Sequence, residues 1–528
     1  MSEDIRSGTG RKIRVLIIGA GPSGLLAAIL LLRRNAAAKL EQSPEKPVYE
    51  ITIVDPGIDH GDLDFANLRR RRSWMIGLSF HGIKAIRSVP GLYEDYVKAS
   101  GVDLKNFTIG LTNTFKIEVD LTKTLPPESV FSIDRNFICA ALARYLNTNF
   151  KFSAEFIPRY NTKALFVDVE KKRVVVRSTG KGLDDNDMHL DYDLLLGCDG
   201  IRSVVRNSFL IKHRDFEFSL SDTFTASKCM HLKLPRDVKE ATYMYLSALI
   251  PNSTSFIMPE TDNLLNAVIV FPKNKPIAKD LLSEDPSVVS AYFKKHSKMF
   301  ALDCDEIGKQ WVSQGWNSIS QVYCNFYHSI PLCALLLGDA AHATSPRIGQ
   351  GMNTALADAS ALNNLLNVYN DDIEKVLLEF SKLRVKEGNA LTALSFYTAS
   401  KCPSQQLLLL IKENTWAFFH RRIPWLVGQH PMRAIYYKNV ELSVVYDKMT
   451  KLGIIPSVRQ VNDSILREHF EMESGMITSE DKKGARSVMK LYAIFIITAV
   501  WCLYSKNWLG VMVVSTSKTF VNQSSPIF

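Results

Sequence analysis

The sequence predicts an α/β fold built on a strand–turn–helix unit, and three separated segments carry that prediction. They are Gly19-Ala-Gly-Pro-Ser-Gly24, Cys198-Asp-Gly200, and Gly338-Asp-Ala-Ala-His342 running on to Gly349-Gln-Gly-Met-Asn353. The first has the flanks that a glycine-rich turn needs. Residues 13–18, Ile-Arg-Val-Leu-Ile-Ile, read as a buried strand. Gly19 permits a tight turn, Gly21 lets the backbone approach a phosphate, and Gly24 lets the next helix pack close to the strand. That helix reads from Pro22 to Arg34, with Ser23 in its first turn. Its N-terminus presents free N–H groups and a partial positive charge to an anion. A second strand, Tyr49-Glu-Ile-Thr-Ile-Val-Asp55, ends in an acid placed to accept hydrogen bonds from ribose hydroxyls. The polar stretch from Asn35 to Pro47 reads as a loop insertion that lengthens the gap to Asp55. Strand, turn, helix and acid together predict a dinucleotide site.

The other two segments narrow the dinucleotide to FAD. Arg173–Arg177 and Asp191–Gly197 read as strands, the second delivering Cys198-Asp199-Gly200. Pro331–Leu337 reads as a buried strand delivering Gly338-Asp339. Asp339 at a strand end is placed to accept from a ribityl chain. Pro346 breaks the chain, and Gly349 and Gly351 permit close backbone approach. Met352 and Asn353 then open a helix whose N-terminus suits the pyrimidine edge of a flavin, where reduction adds negative charge. His342 reads as a structural neighbour of this segment rather than as a base.

Between these segments the pattern changes. His231–Leu234, Thr242–Leu246, Ser255–Met258 and Ala267–Phe271 are short strands separated by Pro, Asn and Asp. They predict a mostly antiparallel sheet inserted into the nucleotide domain as a roof over a substrate. From Thr354 to about Leu410 the pattern is mainly helical. The expected organisation is an FAD-binding domain with part of the substrate region over 12–215, a β-rich substrate domain over 216–330, a return to the FAD domain over 331–370, and a helical region over 371–475.

Composition fits an enzyme. At 528 residues, with 46% hydrophobic and 22% charged residues, the chain holds two or three domains. The net charge of +10 suits anionic cofactors and a membrane surface. No basic stripe interleaved with aromatics points to nucleic acid. The run Arg69–Arg72 reads either as a solvated loop or as a source of phosphate contacts. The eight cysteines include no C-x-x-C pair, so zinc and dithiol redox sites are not expected, and no metal site is predicted. A reducing compartment is implied, which leaves the sequon at Asn252 unused. The N-terminal residues 1–11 lack the apolar core of a signal peptide. Val488–Tyr504 is an apolar stretch near the lower length limit for a membrane span, bordered by Lys490, Trp501 and Tyr504. It is expected to be a C-terminal transmembrane helix that anchors a cytosolic catalytic domain.

The three segments resemble the single-component, class A FAD-dependent aromatic hydroxylases, which share a p-hydroxybenzoate-hydroxylase-like fold. The resemblance spans Lys12 to about Tyr437 and is strongest with the kynurenine-hydroxylating branch. Arg72–Gly82, Ser132–Asn136, Leu195–Arg206 and Phe380–Arg384 also fit that branch. The resemblance adds Arg72, Gly77 and Arg135 to the residues expected at FAD. It implies that NADPH or NADH reduces the flavin and that a C4a-hydroperoxyflavin passes oxygen from O₂ to an electron-rich small molecule. It also implies an anchor in the mitochondrial outer membrane or the endoplasmic reticulum. The branch clamps its substrate's amino-acid head with an Arg and a Tyr. Here Phe107 and Leu121 stand at those places, and Thr398, after Tyr397, stands where the branch has a helical Asn. The reaction class is therefore expected to carry over better than the substrate. Two other readings stay open: an epoxidase or isoprenoid reductase acting on a membrane lipid, and a flavin-binding scaffold without turnover.

Overall fold

A computed structural model describes residues 11–455, apart from short internal gaps of which the longest are 122–130, 235–242 and 400–414. Two compact units share these residues. The larger draws on the chain up to Val102, on 128–225 and on the chain from Ser318 onward; the smaller draws on 103–127 and 226–317.

In the larger unit the elements that matter are β1 (Lys12–Ile18), α1 (Pro22–Leu40), β2 (Val48–Val54), β3 (Met75–Leu78), β4 (Phe131–Asp134) and α2 (Arg135–Phe150). They continue with β5 (Leu194–Gly197), α3 (Val204–Lys212), β6 (Ala334–Leu336), α4 (Gly351–Val368) and α5 (Ile373–Ala399). A six-stranded sheet runs in the order His328–Ser329, β6, β5, β1, β2, Phe156–Arg159. All its pairs are parallel except the first. Ile17, Leu195 and Leu335 are fully buried. Strands buried on both faces read as continuous apolar runs, which is how β1 and β5 appear in the sequence.

Three local expectations need correction. The stretch after Arg34 is not a loop insertion, because α1 continues to Leu40. Ala36, Ala37 and Ala38 are the strongest of helix formers, and Asn35 does not break the helix. Its buried amide donates to Tyr49 O at 2.7 Å and accepts from Tyr49 N at 2.9 Å, tying α1 to β2. The predicted strand Asp191–Gly197 is two strands. Met188–Asp191 pairs antiparallel with Arg173–Ser178, whereas β5 joins the parallel sheet. At the break, the Asp193 carboxylate accepts from the Arg14 backbone at 2.9 Å and its guanidinium at 3.0 Å. The strand expected from Pro331 is regular only over Ala334–Leu336, since Cys333 has φ 46°.

The smaller unit holds a second six-stranded sheet, in the order Ala226–Lys233, Leu264–Phe271, Thr254–Glu260, Tyr243–Ser247, Asn106–Gly110, Lys116–Asp120. It is antiparallel except where Tyr243–Ser247 runs parallel to Asn106–Gly110. The four expected strands are present, and two more come from the earlier stretch of chain. Helices Pro286–His296 and Cys304–Ser313 belong to the same unit, and Phe293 and Trp311 from them join Phe271 in its apolar core.

The predicted anchor, Val488–Tyr504, lies outside the described residues. Among the described residues no helix is long and apolar enough to cross a membrane. Cys139, Cys198, Cys229, Cys324 and Cys333 are buried and form no disulfide among the described residues. Burial pushes the Cys139 and Cys324 thiols up to about 12, so they behave as small apolar groups.

Burial also lowers the pKa of His60, His213 and His328 in the larger unit. A histidine depressed by folding contributes stability above its unfolded value, about 6.5, and that contribution is lost as pH falls through the folded value. The urea midpoint is therefore expected to hold from pH 8 to 7 and to drop below about 6.5, with His328→Gln shrinking the drop. A midpoint unchanged between pH 7.5 and 5.5 contradicts this account.

Candidate functional site

The three sequence segments meet in the larger unit. Gly19 follows β1 at φ 107°, and a Cβ there would stand 2.2 Å from the Cys198 carbonyl oxygen. A Cβ on Gly24 would lie 2.1 Å from Gly19 O and 3.2 Å from Cys198 Cβ. Gly338 follows β6 at φ 59°, where a Cβ would come 2.9 Å from Ser23 Oγ and 3.2 Å from Ala355 Cβ in α4. Backbone packs on backbone at Gly19 and Gly24, and at Gly338 two side chains and a positive φ exclude any other residue. Gly21 is different: nothing lies within 4 Å of the Cβ it lacks, and the same holds for Gly200 and Gly349. That open space beside the starts of two helices is what a phosphate-bearing cofactor requires.

Both helices start without a side-chain cap. Gly21 precedes α1 and Gln350 precedes α4, and neither makes a capping hydrogen bond. The first-turn N–H groups of Ser23 and Gly24, and of Gly351, Met352 and Asn353, have no acceptor within their own helix. The Gln350 side chain adds a buried amide nitrogen without a partner, while its oxygen accepts from Ser79 Oγ at 3.1 Å. Asp55, just past β2, accepts from Ala20 N at 2.7 Å on one oxygen and from Gly57 N at 2.7 Å on the other. The acid thus clamps the glycine turn as well as retaining lone pairs for a ribose. Asp199 caps α3 through one oxygen, which accepts from Val204 N at 2.7 Å. Its other oxygen is buried without a partner, and burial pushes the carboxyl above the usual range.

A short antiparallel pair, β3 with β4, carries further predicted residues. Arg135 opens α2 directly after β4 and lies over the Trp74 ring at 5.3 Å. Gly77 lies in β3, and its carbonyl accepts from the Asn353 amide at 2.9 Å. That amide also donates to Gly349 O at 2.9 Å, and its oxygen accepts from Ser79 N at 2.8 Å. The Asn353 side chain is therefore fully used in joining β3 to α4, which leaves its backbone N–H for a ligand. Arg69 lies over the Phe137 ring at 5.3 Å; Arg72 lies outside the described residues. Asp339 is exposed, Pro346 begins a short 3₁₀ turn, and Met352 is buried in the first turn of α4.

Sequence reasoning missed the group that holds the third segment in place. Asp358, fully buried in α4, accepts from Gly338 N at 2.9 Å. It also pairs with His342 Nε2 at 2.7 Å and with Arg384 Nε at 2.6 Å. Burial pushes Asp358 up, but the contacts with His342 and Arg384 outweigh it and hold the carboxyl below the usual range. Arg384 reaches on to Thr354 O at 3.2 Å. The signal was present as opposite charges inside otherwise apolar helical faces, Ala355–Ala359 and Leu383–Val385. His342 is structural, as its sequence context suggested.

The four predicted substrate-pocket positions fall in different units. Phe107 pairs in register with Val119, and Leu121 N donates to Lys105 O at 2.9 Å, so positions 107 and 121 sit diagonally on adjacent strands. Tyr397 and Thr398 lie in the last turn of α5 in the larger unit, with their side chains outside the described residues. No cluster able to hold a metal ion occurs among the described residues.

The FAD binding domain family matches residues 116–393, just over half the chain, taking in Cys198–Gly200 and Gly338–Asn353. Violacein synthase of Chromobacterium violaceum is 25% identical over 450 residues, covering 83% of this chain and 96% of that protein. Kynurenine 3-monooxygenase of Sus scrofa is 26% identical over 430 residues, covering 78% and 80%. Among solved structures, 2-methyl-3-hydroxypyridine-5-carboxylic acid oxygenase superposes with a TM-score of 0.52 at 17% identity, covering 74% of this chain and 92% of its own. Klebsiella pneumoniae HpxO, complexed with FAD and uric acid, gives 0.52 at 18% identity, covering 76% and 92%. The chain belongs to the FAD binding domain family. It is an FAD-dependent monooxygenase of the class A aromatic hydroxylase type.

Proposed function

We propose that this protein hydroxylates a neutral, electron-rich aromatic small molecule, using NADPH or NADH and O₂. The observation that carries the reading is the convergence of Gly19–Gly24, Cys198–Gly200 and Gly338–Asn353 around open space at two uncapped helix starts. Bound FAD supplies the oxygen activation. The chain's own residues bind and orient it. The N–H groups of Ser23 and Gly24 receive the pyrophosphate, Asp55 the ribose, and Asp339 the ribityl hydroxyls. Arg135 opens α2 beside the Trp74 ring, and its charge favours an anionic cofactor. The N–H groups of Gly351, Met352 and Asn353, with the unpartnered Gln350 amide, stabilise negative charge on the pyrimidine edge. Asp199 holds the start of α3, and Asp358 holds the Gly338 turn.

The neutral character of the substrate rests on Phe107 and Leu121, which offer no ionic partner to a carboxylate. Kynurenine should therefore be a poor substrate. Losing one charged partner at a buried site costs about 2–5 kcal/mol, roughly 30- to 5000-fold in affinity. Steady-state kinetics with L-kynurenine, following 3-hydroxykynurenine by chromatography, is the test. Efficient coupled hydroxylation at micromolar substrate refutes the neutral-substrate reading. NAD(P)H oxidation that no aromatic compound accelerates refutes the hydroxylase reading itself.

The apolar stretch Val488–Tyr504 supports a tail anchor with the catalytic part in the cytosol, on the mitochondrial outer membrane or the endoplasmic reticulum. A chain ending before Ser487 is expected to be released from membranes with its flavin. Pelleting of that chain after carbonate extraction rules out the tail as sole anchor.

A further inference from the structure

The larger unit has a second concavity, away from the glycine turns. A cavity of about 280 Å³ opens between the C-terminal half of α1, the last turn of α2 and the turn that follows α2. Leu32 and Ala36 from α1 and Phe150 from α2 give it an apolar lining. Leu32 stands ten residues past Pro22, about 15 Å along the helix from the cofactor turn. Phe152, from the turn after α2, also lines the cavity and is 97% exposed. The fold therefore leaves a whole aromatic side chain uncovered at a concave site. The volume lies just below the range of about 300–1,000 Å³ that takes drug-sized ligands, and it suits a molecule of one or two rings.

The charged lining consists of Lys39, Lys151 and Glu155. Glu155 is committed within the protein. One carboxylate oxygen accepts from Lys39 Nζ at 2.6 Å and the other from Ser153 Oγ. These contacts hold the carboxyl down at about 2, so it is ionised and paired at neutral pH. Lys151 has no acidic partner among the described residues. Two helix C-termini border the site, and their dipoles alone would favour a cation. The chain itself covers most of those carbonyls. Ala37, Ala38 and Lys39 accept from Glu41 N, Ser43 N and Gln42 N, and Phe150 accepts from Ser153 N at 2.9 Å. The Asn149 amide donates to the Tyr145 carbonyl at 2.8 Å. The charge left over for a ligand is that of the Lys151 ammonium.

We propose that this cavity is a binding site for a small planar aromatic anion, one or two rings bearing a carboxylate, with the rings against Phe152 and Phe150 and the carboxylate on Lys151. It is separate from the flavin cradle and stands whether or not the hydroxylase reading does. The ring contacts supply most of the affinity, since aromatic faces bury area and stack. The ammonium selects the charge of the ligand and adds less, because an exposed ion pair is solvated and screened by salt.

The experiment is a calorimetric titration of the full-length holoenzyme with 2-naphthoate and, in parallel, with its neutral counterpart 2-naphthamide. The wild type is expected to bind 2-naphthoate saturably with a Kd below about 1 mM. Lys151→Glu is expected to raise that Kd at least about fivefold and to leave any binding of 2-naphthamide unchanged. Phe152→Ser is expected to raise the Kd for 2-naphthoate at least about fivefold. Both side chains are exposed, so both variants should keep the flavin content and the thermal midpoint of the wild type. No saturable binding of 2-naphthoate overturns the assignment, as does a 2-naphthoate affinity that either substitution leaves unmoved. Equal weakening of acid and amide by Lys151→Glu overturns it too, because the ammonium then does not read the charge.

Discussion

Replacing Asp358 with alanine is expected to destabilise the larger unit by about 3–5 kcal/mol and to leave the purified protein without flavin. The change strands the fully buried Arg384 guanidinium, which now has its carboxylate at 2.6 Å. It also removes the acceptor of Gly338 N, and with it the restraint on a turn at φ 59°. Breaking one side of a buried ion pair costs more than the pair contributes, because the remaining charge cannot recover its water. Asp358→Asn should fall between, since an amide oxygen still accepts from Gly338 or Arg384 but carries no charge. Urea unfolding and the flavin absorbance of the purified variants measure both effects. An alanine variant that keeps wild-type flavin content and midpoint shows that the group is not what holds the turn.

A second large effect separates two glycines of one motif. Gly24→Ala places a methyl 2.1 Å from the Gly19 carbonyl, a contact that only backbone movement relieves. Both the fold and flavin binding should suffer. Gly21→Ala meets nothing within 4 Å in the protein, so the apoprotein should remain as stable as the wild type. Its methyl instead occupies the space left for the pyrophosphate, and the affinity for FAD should fall by at least about tenfold, or 1.4 kcal/mol. Thermal denaturation of the apoproteins, beside fluorescence titration with FAD, distinguishes the two. Equal stability loss in both variants removes the case for a cofactor space at Gly21.

The sequence was most legible where the backbone itself sets the chemistry. Gly19, Gly24 and Gly338 are visible as glycines because no other residue fits. The strands feeding them are visible because parallel strands buried on both faces are unbroken apolar runs. It was least legible where a polar residue acts through a distant partner. Asn35 reads as a loop residue until its bonds to Tyr49 are known. Asp358 and Arg384 read as ordinary helical charges, since nothing local says that they meet. Asn353 reads as a ligand contact because it stands in the motif, yet its side chain serves β3. The strands Asn106–Gly110 and Lys116–Asp120 escaped notice for a related reason: their partner in the sheet is contributed by residues far along the chain.

That last pairing has a consequence for how the polypeptide is made. Asn106–Gly110 leaves the ribosome long before Tyr243–Ser247, the strand it pairs with. Until then the hairpin it forms with Lys116–Asp120 is two-stranded, a size that is marginal alone in water. The later block, Ala226–Asn317, carries the other four strands but ends at a bare edge on Tyr243–Ser247. An open edge of that kind is a template for pairing with another chain. The smaller unit is therefore not a portable module: neither block is a finished sheet when separated from the other, and the nascent chain must hold the first in reserve while two strands of the larger unit's six-stranded sheet, Phe156–Arg159 and β5, are synthesised between them.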